Sequence, residues 1–122
     1  MQRVYVVEDS PLVRERLMQL LAAVPGASVV GHAADVDEAI GGILAAKPDL
    51  VLLDLSLASG SGFDVLNAVR ESEPGIDFYM LSNFSSEPYR RHAERLGARG
   101  FFDKSRDFER VRELVSQRAS RN

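Results

Sequence analysis

The chain contains no cysteine, which excludes disulfide frameworks, thiolate metal sites and cysteine nucleophiles. It has no apolar run approaching the roughly 20 residues that a membrane span needs. The carboxylate pair Glu8-Asp9 interrupts the N-terminus before a signal-peptide segment could complete. Lysine is scarce, with Lys47 and Lys104 standing against 13 arginines. Hydrophobic residues form 45% and charged residues 27% of the 122 positions, a globular rather than a disordered mixture. That length leaves room for one hydrophobic core. The expectation is a single cytoplasmic domain spanning residues 1–122.

The net charge of −3 conceals an asymmetry. Residues 1–84 hold 5 basic against 12 acidic side chains, net −7, and residues 85–122 hold 10 against 6, net +4. A basic C-terminal third suits an acidic protein partner or a second copy of the chain better than it suits nucleic acid. Arg90, Arg91, Arg95 and Arg99 read first as a solvated helix face.

Short apolar runs alternate with helix-period segments. Val4 to Val7 is continuous, as in a strand buried on both faces. Ser10-Pro11 then supplies an N-cap and a first-turn proline, and Leu12, Leu17, Leu20, Leu21 and Val24 form a stripe that ends at Pro25-Gly26. Ser28 to Ala33 is a weaker strand. Asp35 caps a helix carrying Ile40, Ile43 and Leu44 that stops at Lys47-Pro48. Leu50 to Leu53 is the third strand, followed by a turn and a helix with Phe63, Leu66 and Val69. Ile76 to Leu81, a helix over Glu87 to Leu96, Phe101-Phe102, and a helix over Asp107 to Ala119 that brings the chain near Asn122 complete the order. Five strands alternating with five helices predict a doubly wound α/β fold with a five-stranded parallel sheet in the order 2-1-3-4-5.

Strand interiors are apolar, but four strands end in a reactive polar residue: Glu8-Asp9, Asp54, Ser82 and Lys104. In a doubly wound sheet these ends share one edge, where crevices form. Three carboxylates together are unfavourable without cations; Lys104 supplies one charge and a divalent ion two. Oxygen-only ligands select Mg²⁺, Mn²⁺ or Ca²⁺, and a sparse set that leaves open positions suits Mg²⁺. A carboxylate beside that ion and a lysine is a nucleophile toward a phosphoryl group. Asp54 is the best placed, on the central strand, with Ser82 a hydrogen-bond donor to the product. Gly60-Ser61-Gly62 fits neither a phosphate loop nor a nucleophile elbow. His32 and His92 read as structural or solvent-facing.

Val7-Glu8-Asp9-Ser10, Asp54 with Gly62 after it, Ser82, and Gly97 through Lys104 together resemble the response-regulator receiver domains of two-component signalling, over essentially the whole chain. The resemblance implies a flavodoxin-like (βα)5 fold. It implies Asp54 as phospho-acceptor, fed by a sensor histidine kinase or a phosphotransfer protein. Asp9, Asp54 and the Ser56 backbone carbonyl become ligands of Mg²⁺ (or Mn²⁺), with Glu8 acting through water. Lys104 pairs with the phosphoryl group, while Ser82 and Phe101 are switch residues. The face of the fourth helix, fifth strand and fifth helix carries the signal to a protein partner or to a homodimer. No direct contact with nucleic acid or membrane is implied.

Four positions depart from the family pattern. Ala58 replaces a proline and predicts a more mobile loop; Asn83 stands where a small residue is usual; Phe101 lacks a hydroxyl; and Ser105 replaces a proline, removing the usual reason for a cis bond. The expectation is a stand-alone phospho-acceptor that modifies and restores itself rather than a turnover enzyme. The alternatives are a receiver fragment of a longer DNA-binding or enzymatic regulator, a pseudo-receiver, and a metal-dependent phosphatase. The phosphatase reading lacks the second acid two residues after Asp54, where Ser56 stands.

Overall fold

A computed structural model describes residues 1–121. The parallel sheet comprises β1 (Gln2–Val7), β2 (Ala27–Ala33), β3 (Leu50–Leu53), β4 (Asp77–Ser82) and β5 (Gly100–Asp103). Counted in chain order, its strands lie 2-1-3-4-5, as the sequence predicts. Helices α1 (Pro11–Ala22), α2 (Val36–Ala46), α3 (Gly62–Val69), α4 (Glu87–Arg95) and α5 (Phe108–Ser120) cover its two faces. Asn122, near which the sequence reading ends the last helix, lies outside the described residues.

Strand alternation divides the core. Tyr5, Val7, Val51, Leu53, Phe78 and Met80 point toward α2, α3 and α4, where Ile43, Leu66 and Ala93 meet them. Val4, Val6, Leu50, Leu52 and Leu81 point the other way, against Leu17 and Leu21 of α1 and Phe108, Val111 and Val115 of α5. A fully buried Leu or Phe of this kind contributes about 2 kcal/mol.

The caps of α1 and α2 are those written in the sequence, and α3 adds one that it does not announce. Ser10 Oγ accepts from Val13 N at 3.3 Å and Asp35 Oδ1 from Glu38 N at 2.8 Å. Ser61 and Asp64 form a reciprocal capping box on α3. Lys47 ends α2 in the left-handed region, at φ 46°.

Several local expectations are corrected. Leu12, placed in the buried stripe of α1, is 80% exposed, and Leu44 of α2 is also exposed. Both lie on the outer side of helices whose inner faces are completed by Leu17, Leu21, Ala39 and Ile43. The fourth strand runs one residue later than the apolar run, so that Ser82 is its last residue. The segment after Asp54, where Ala58 predicts a more mobile loop, forms a short hairpin. Ser56–Leu57 pairs antiparallel with Gly60–Ser61, and Ser59 Oγ accepts from Val36 N at 3.0 Å. No described peptide bond is cis, in keeping with Ser105.

At the N-terminal edge of the sheet the basic third of the chain is partly spent on structure. Asp77 lies between Arg99 Nε at 3.0 Å and Arg118 Nη1 at 2.8 Å, and Arg118 Nε also donates to Gln2 Oε1 at 2.9 Å. No described helix is long and apolar enough to cross a membrane.

Candidate functional site

The C-terminal edge of the sheet gathers the acidic residues by register. Glu8 follows β1 and Asp54 follows β3, two paired strands. Glu8 N donates to Ala33 O at 3.0 Å and Asp54 N to Val7 O at 2.9 Å, so the sheet ladder itself carries both residues to the rim. Carboxylate oxygens of Glu8, Asp9 and Asp54 lie within 4.8 Å of one another. Glu8 and Asp54 are buried, 1% and 5% exposed, while Asp9 faces solvent.

Lys104 reaches into this cluster from the end of β5. Its Nζ is 2.6 Å from Glu8 Oε1 and 2.8 Å from Asp54 Oδ2. Burial acts against the ammonium, but the hydrogen bonds to Asp54 and Glu8 outweigh it and raise the pKa above its ordinary value. For Glu8, burial is the dominant influence and pushes its carboxyl up, with the neighbouring Asp54 charge adding to the effect. The bonds from Lys104 and from Ser10 N, the latter at 3.0 Å to Oε2, oppose it only in part.

Glycine at position 62 has a specific reason. A Cβ there would overlap the carbonyl oxygen of Asp54, and Gly62 N donates to Leu55 O at 2.7 Å. The start of α3 therefore packs directly on the backbone of Asp54. Ser56 N donates to Asp54 Oδ1 at 3.3 Å, turning the chain after β3 around that carboxylate.

The donor set fits a hard divalent cation. Three carboxylates face one ammonium, every candidate ligand is oxygen, and Asp9 makes no hydrogen bond or ion pair among the described residues. Glu8 Oε1 is buried and faces the close ammonium of Lys104. Glu8, Asp9 and Asp54 could hold such an ion through carboxylate oxygens or water.

Of the other predicted site residues, Ser82 is buried beside the cluster. Its carbonyl accepts from Lys104 N at 3.1 Å and its Oγ from Phe84 N at 3.1 Å. Phe101 lies apart from the carboxylates, half-buried on the α4 side of the sheet. His32 is exposed, and His92 packs edge-on against Phe63 at 4.5 Å.

Arg90 is not the solvated residue that the sequence suggests. It is half-buried, with Nε on Ser85 O at 2.6 Å and Nη1 on Phe101 O at 3.1 Å. Sequence reasoning also assigns no role to Asp103, a buried carboxylate held by Ser85 and Ser105. The sequence signal for it is an acid at a strand end two residues before a serine.

The family model described as "Response regulator receiver domain" matches residues 4–116. The DNA-binding transcriptional activator DevR/DosR of Mycobacterium tuberculosis is 34% identical over 101 residues, 83% of this chain and 46% of its own length. A protein-glutamate methylesterase/protein-glutamine glutaminase of Geobacter sulfurreducens is 37% identical over 102 residues, 84% of this chain and 27% of its own length. The chain thus spans less than half of these two curated relatives. Among solved structures, the signal receiver domain of the putative response regulator NarL from Mycobacterium tuberculosis superposes with a TM-score of 0.88 at 31% identity, covering 98% of this chain and 96% of that one.

Proposed function

The chain belongs to the response regulator receiver family, and from that premise we propose that residues 1–122 form one domain that accepts a phosphoryl group on Asp54. The observation that carries this reading is the double contact of Lys104 Nζ, 2.6 Å from Glu8 and 2.8 Å from Asp54, with Asp9 in the same cluster. A buried carboxylate beside a fixed ammonium and two further acids is a nucleophile whose surroundings match the charge of a transferring phosphoryl group.

In the proposed reaction a carboxylate oxygen of Asp54 forms a bond to phosphorus as the P–N bond of a donor phosphohistidine breaks. The leaving electron pair stays on the imidazole. Lys104 then pairs with the phosphoryl oxygens, Ser82 donates its hydroxyl to one of them, and Phe101 is the aromatic that responds to Ser82. Glu8, Asp9, Asp54 and the Ser56 carbonyl would hold Mg²⁺, with Mn²⁺ as a substitute, and the ion would supply charge neutralisation of the phosphoryl group.

The donor is a sensor histidine kinase or a phosphotransfer protein, and the setting is cytoplasmic. Output goes to a protein partner or a second copy through the face of α4, β5 and α5, which exposes Arg91, Arg95, Arg106 and Arg110. The reaction is self-modification rather than turnover. Ser56, standing two residues after Asp54, offers no carboxyl to act as the general acid of a phosphatase.

The test is intact-mass spectrometry after incubation with Mg²⁺ and acetyl phosphate, beside an Asp54→Asn control shown to be folded by circular dichroism. A single phosphoryl adduct on the wild type alone supports the reading. An adduct on the control, or none on the folded wild type, overturns it.

A further inference from the structure

The loop between β4 and α4, residues 83–86, is held to the body of the protein by one inward residue. Asn83, Phe84 and Ser86 are exposed, whereas Ser85 is half-buried. Ser85 Oγ donates to Asp103 Oδ2 at 2.5 Å, and its carbonyl accepts from Arg90 Nε at 2.6 Å. Both bonds involve a charged partner, and such bonds are roughly twice as strong as neutral ones.

Each partner is itself anchored. Asp103 is buried at the end of β5, in register with Ser82, and its Oδ1 accepts from Ser105 N at 2.8 Å and Ser105 Oγ at 2.5 Å. The Arg106 guanidinium lies 3.5 Å from Oδ2. The hydrogen bonds from Ser105, then that from Ser85, hold the Asp103 carboxyl far below the usual carboxylate range, so it is an anionic acceptor at neutral pH. Arg90 Nη1 donates to Phe101 O at 3.1 Å, and its guanidinium stands 5.0 Å over the Phe101 ring.

One continuous set of contacts therefore joins the rim of the acidic site to the α4–β5 face. Ser82 Oγ accepts from Phe84 N at 3.1 Å; Ser85, the next residue, is fixed to Asp103 and Arg90; and Arg90 covers Phe101. If the Ser82 hydroxyl turns toward a new acceptor, Phe84 N is drawn with it. The loop can then follow only by releasing Ser85 from an anion and a cation.

We propose that Asp103 and Arg90 form a pin on Ser85 that holds the β4–α4 loop in its resting arrangement and sets how readily engagement of Ser82 is passed to α4 and Phe101. Both are positioning residues, acting through Ser85 rather than on the phosphoryl group. The proposal rests on Ser82 being the hydroxyl that meets the phosphoryl group on Asp54. Coupling of this kind is established by an element whose two arrangements both ends can bias, not by adjacency alone.

Ser85→Ala removes the Asp103 half of the pin while leaving the bonds between Asp103 and Ser105, and Arg90→Ala removes the other half. Both are compared with wild type in the whole chain by amide hydrogen exchange, without a phosphodonor, at Phe84, Tyr89 and Arg90, whose N–H groups are bonded to Ser82 Oγ and Ser86 O. The rate of phosphoryl adduct formation from acetyl phosphate with Mg²⁺ is the second readout. We expect loop exchange about tenfold faster and adduct formation at least about threefold faster in each variant, with Ser85→Thr restoring both. Loop exchange within about twofold of wild type in both variants overturns the pin. Faster exchange with an unchanged adduct rate overturns its control of the response. A wild type that takes no adduct removes the reading of Asp54, while the exchange comparison still decides whether the pin exists.

Discussion

Lys104 Nζ stands 2.8 Å from Asp54 Oδ2 although 50 positions separate the two residues. The same ammonium is 2.6 Å from Glu8 Oε1, so a single cation bridges two buried carboxylates. Lys104→Ala leaves those carboxylates facing each other without compensation. Its expected cost is about 3 kcal/mol at neutral pH. Burial already raises the Glu8 carboxyl, and without the cation it takes a proton still more readily folded than unfolded, so the folded variant binds more protons and the deficit shrinks as pH falls. Urea unfolding at neutral and mildly acidic pH checks this; an equal loss at both would contradict it.

Divalent cations should stabilise the protein by preferential binding to the native cluster. Mg²⁺ at ten times its dissociation constant is expected to add about 1.4 kcal/mol. Asp9 is exposed and has no partner among the described residues. Asp9→Asn should therefore abolish most of that gain while changing stability without the ion by under about 0.5 kcal/mol. Melting curves with and without Mg²⁺ measure both quantities, and an Mg²⁺ response that survives in Asp9→Asn would remove this residue from the ligand set.

Two glycines make a matched pair. A Cβ at Gly62 would overlap the Asp54 carbonyl oxygen and stand 3.2 Å from Leu53 Cγ, whereas a Cβ at Gly41 meets nothing within 4 Å. Gly62→Ala is expected to cost about 1–3 kcal/mol and to slow adduct formation by displacing Asp54. Gly41 lies in α2, where alanine is the better helix former, so Gly41→Ala should add about 0.5–1 kcal/mol. Urea midpoints of the two variants moving in the same direction would contradict the packing argument.

Tyr5 governs part of the alkaline limb. Its ring fills space left by Gly31 and Gly42, and its hydroxyl donates to His32 O at 3.3 Å. Burial, followed by the negative charge of Glu38, raises the phenol above its ordinary value of 10.0. The folded state keeps this proton when the unfolded chain has lost it, so stability falls as pH rises above about 10. Tyr5→Phe should flatten that fall and remove the last-titrating part of the phenolate absorbance. An unchanged alkaline limb would show that Tyr5 carries no such linkage.

The strands and the caps of α1 and α2 were legible in the residues because each depends on near neighbours, and the strand order followed from the handedness of successive crossovers. Val4 to Val7 and Leu50 to Leu53 are continuous apolar runs, and Ser10 and Asp35 cap helices through amides three residues ahead. Once the order 2-1-3-4-5 follows, Glu8, Asp9, Asp54 and Lys104 must share one edge of the sheet.

What residue patterns do not encode is how elements distant in sequence meet. Leu12 continues the apolar period of α1 yet is exposed, because the helix is rolled so that Leu17 and Leu21 fill the space over the sheet. Arg90 belongs to a run of arginines yet turns inward, because Ser85 O and Phe101 O come within reach only when α4 packs on β5. Asp103 meets Ser85 across 18 positions by the pairing of β4 with β5. Local periodicity set the composition of the site's edge; the approach of packed elements, which no short-range rule contains, selected which side chains became charged partners and which were left to solvent.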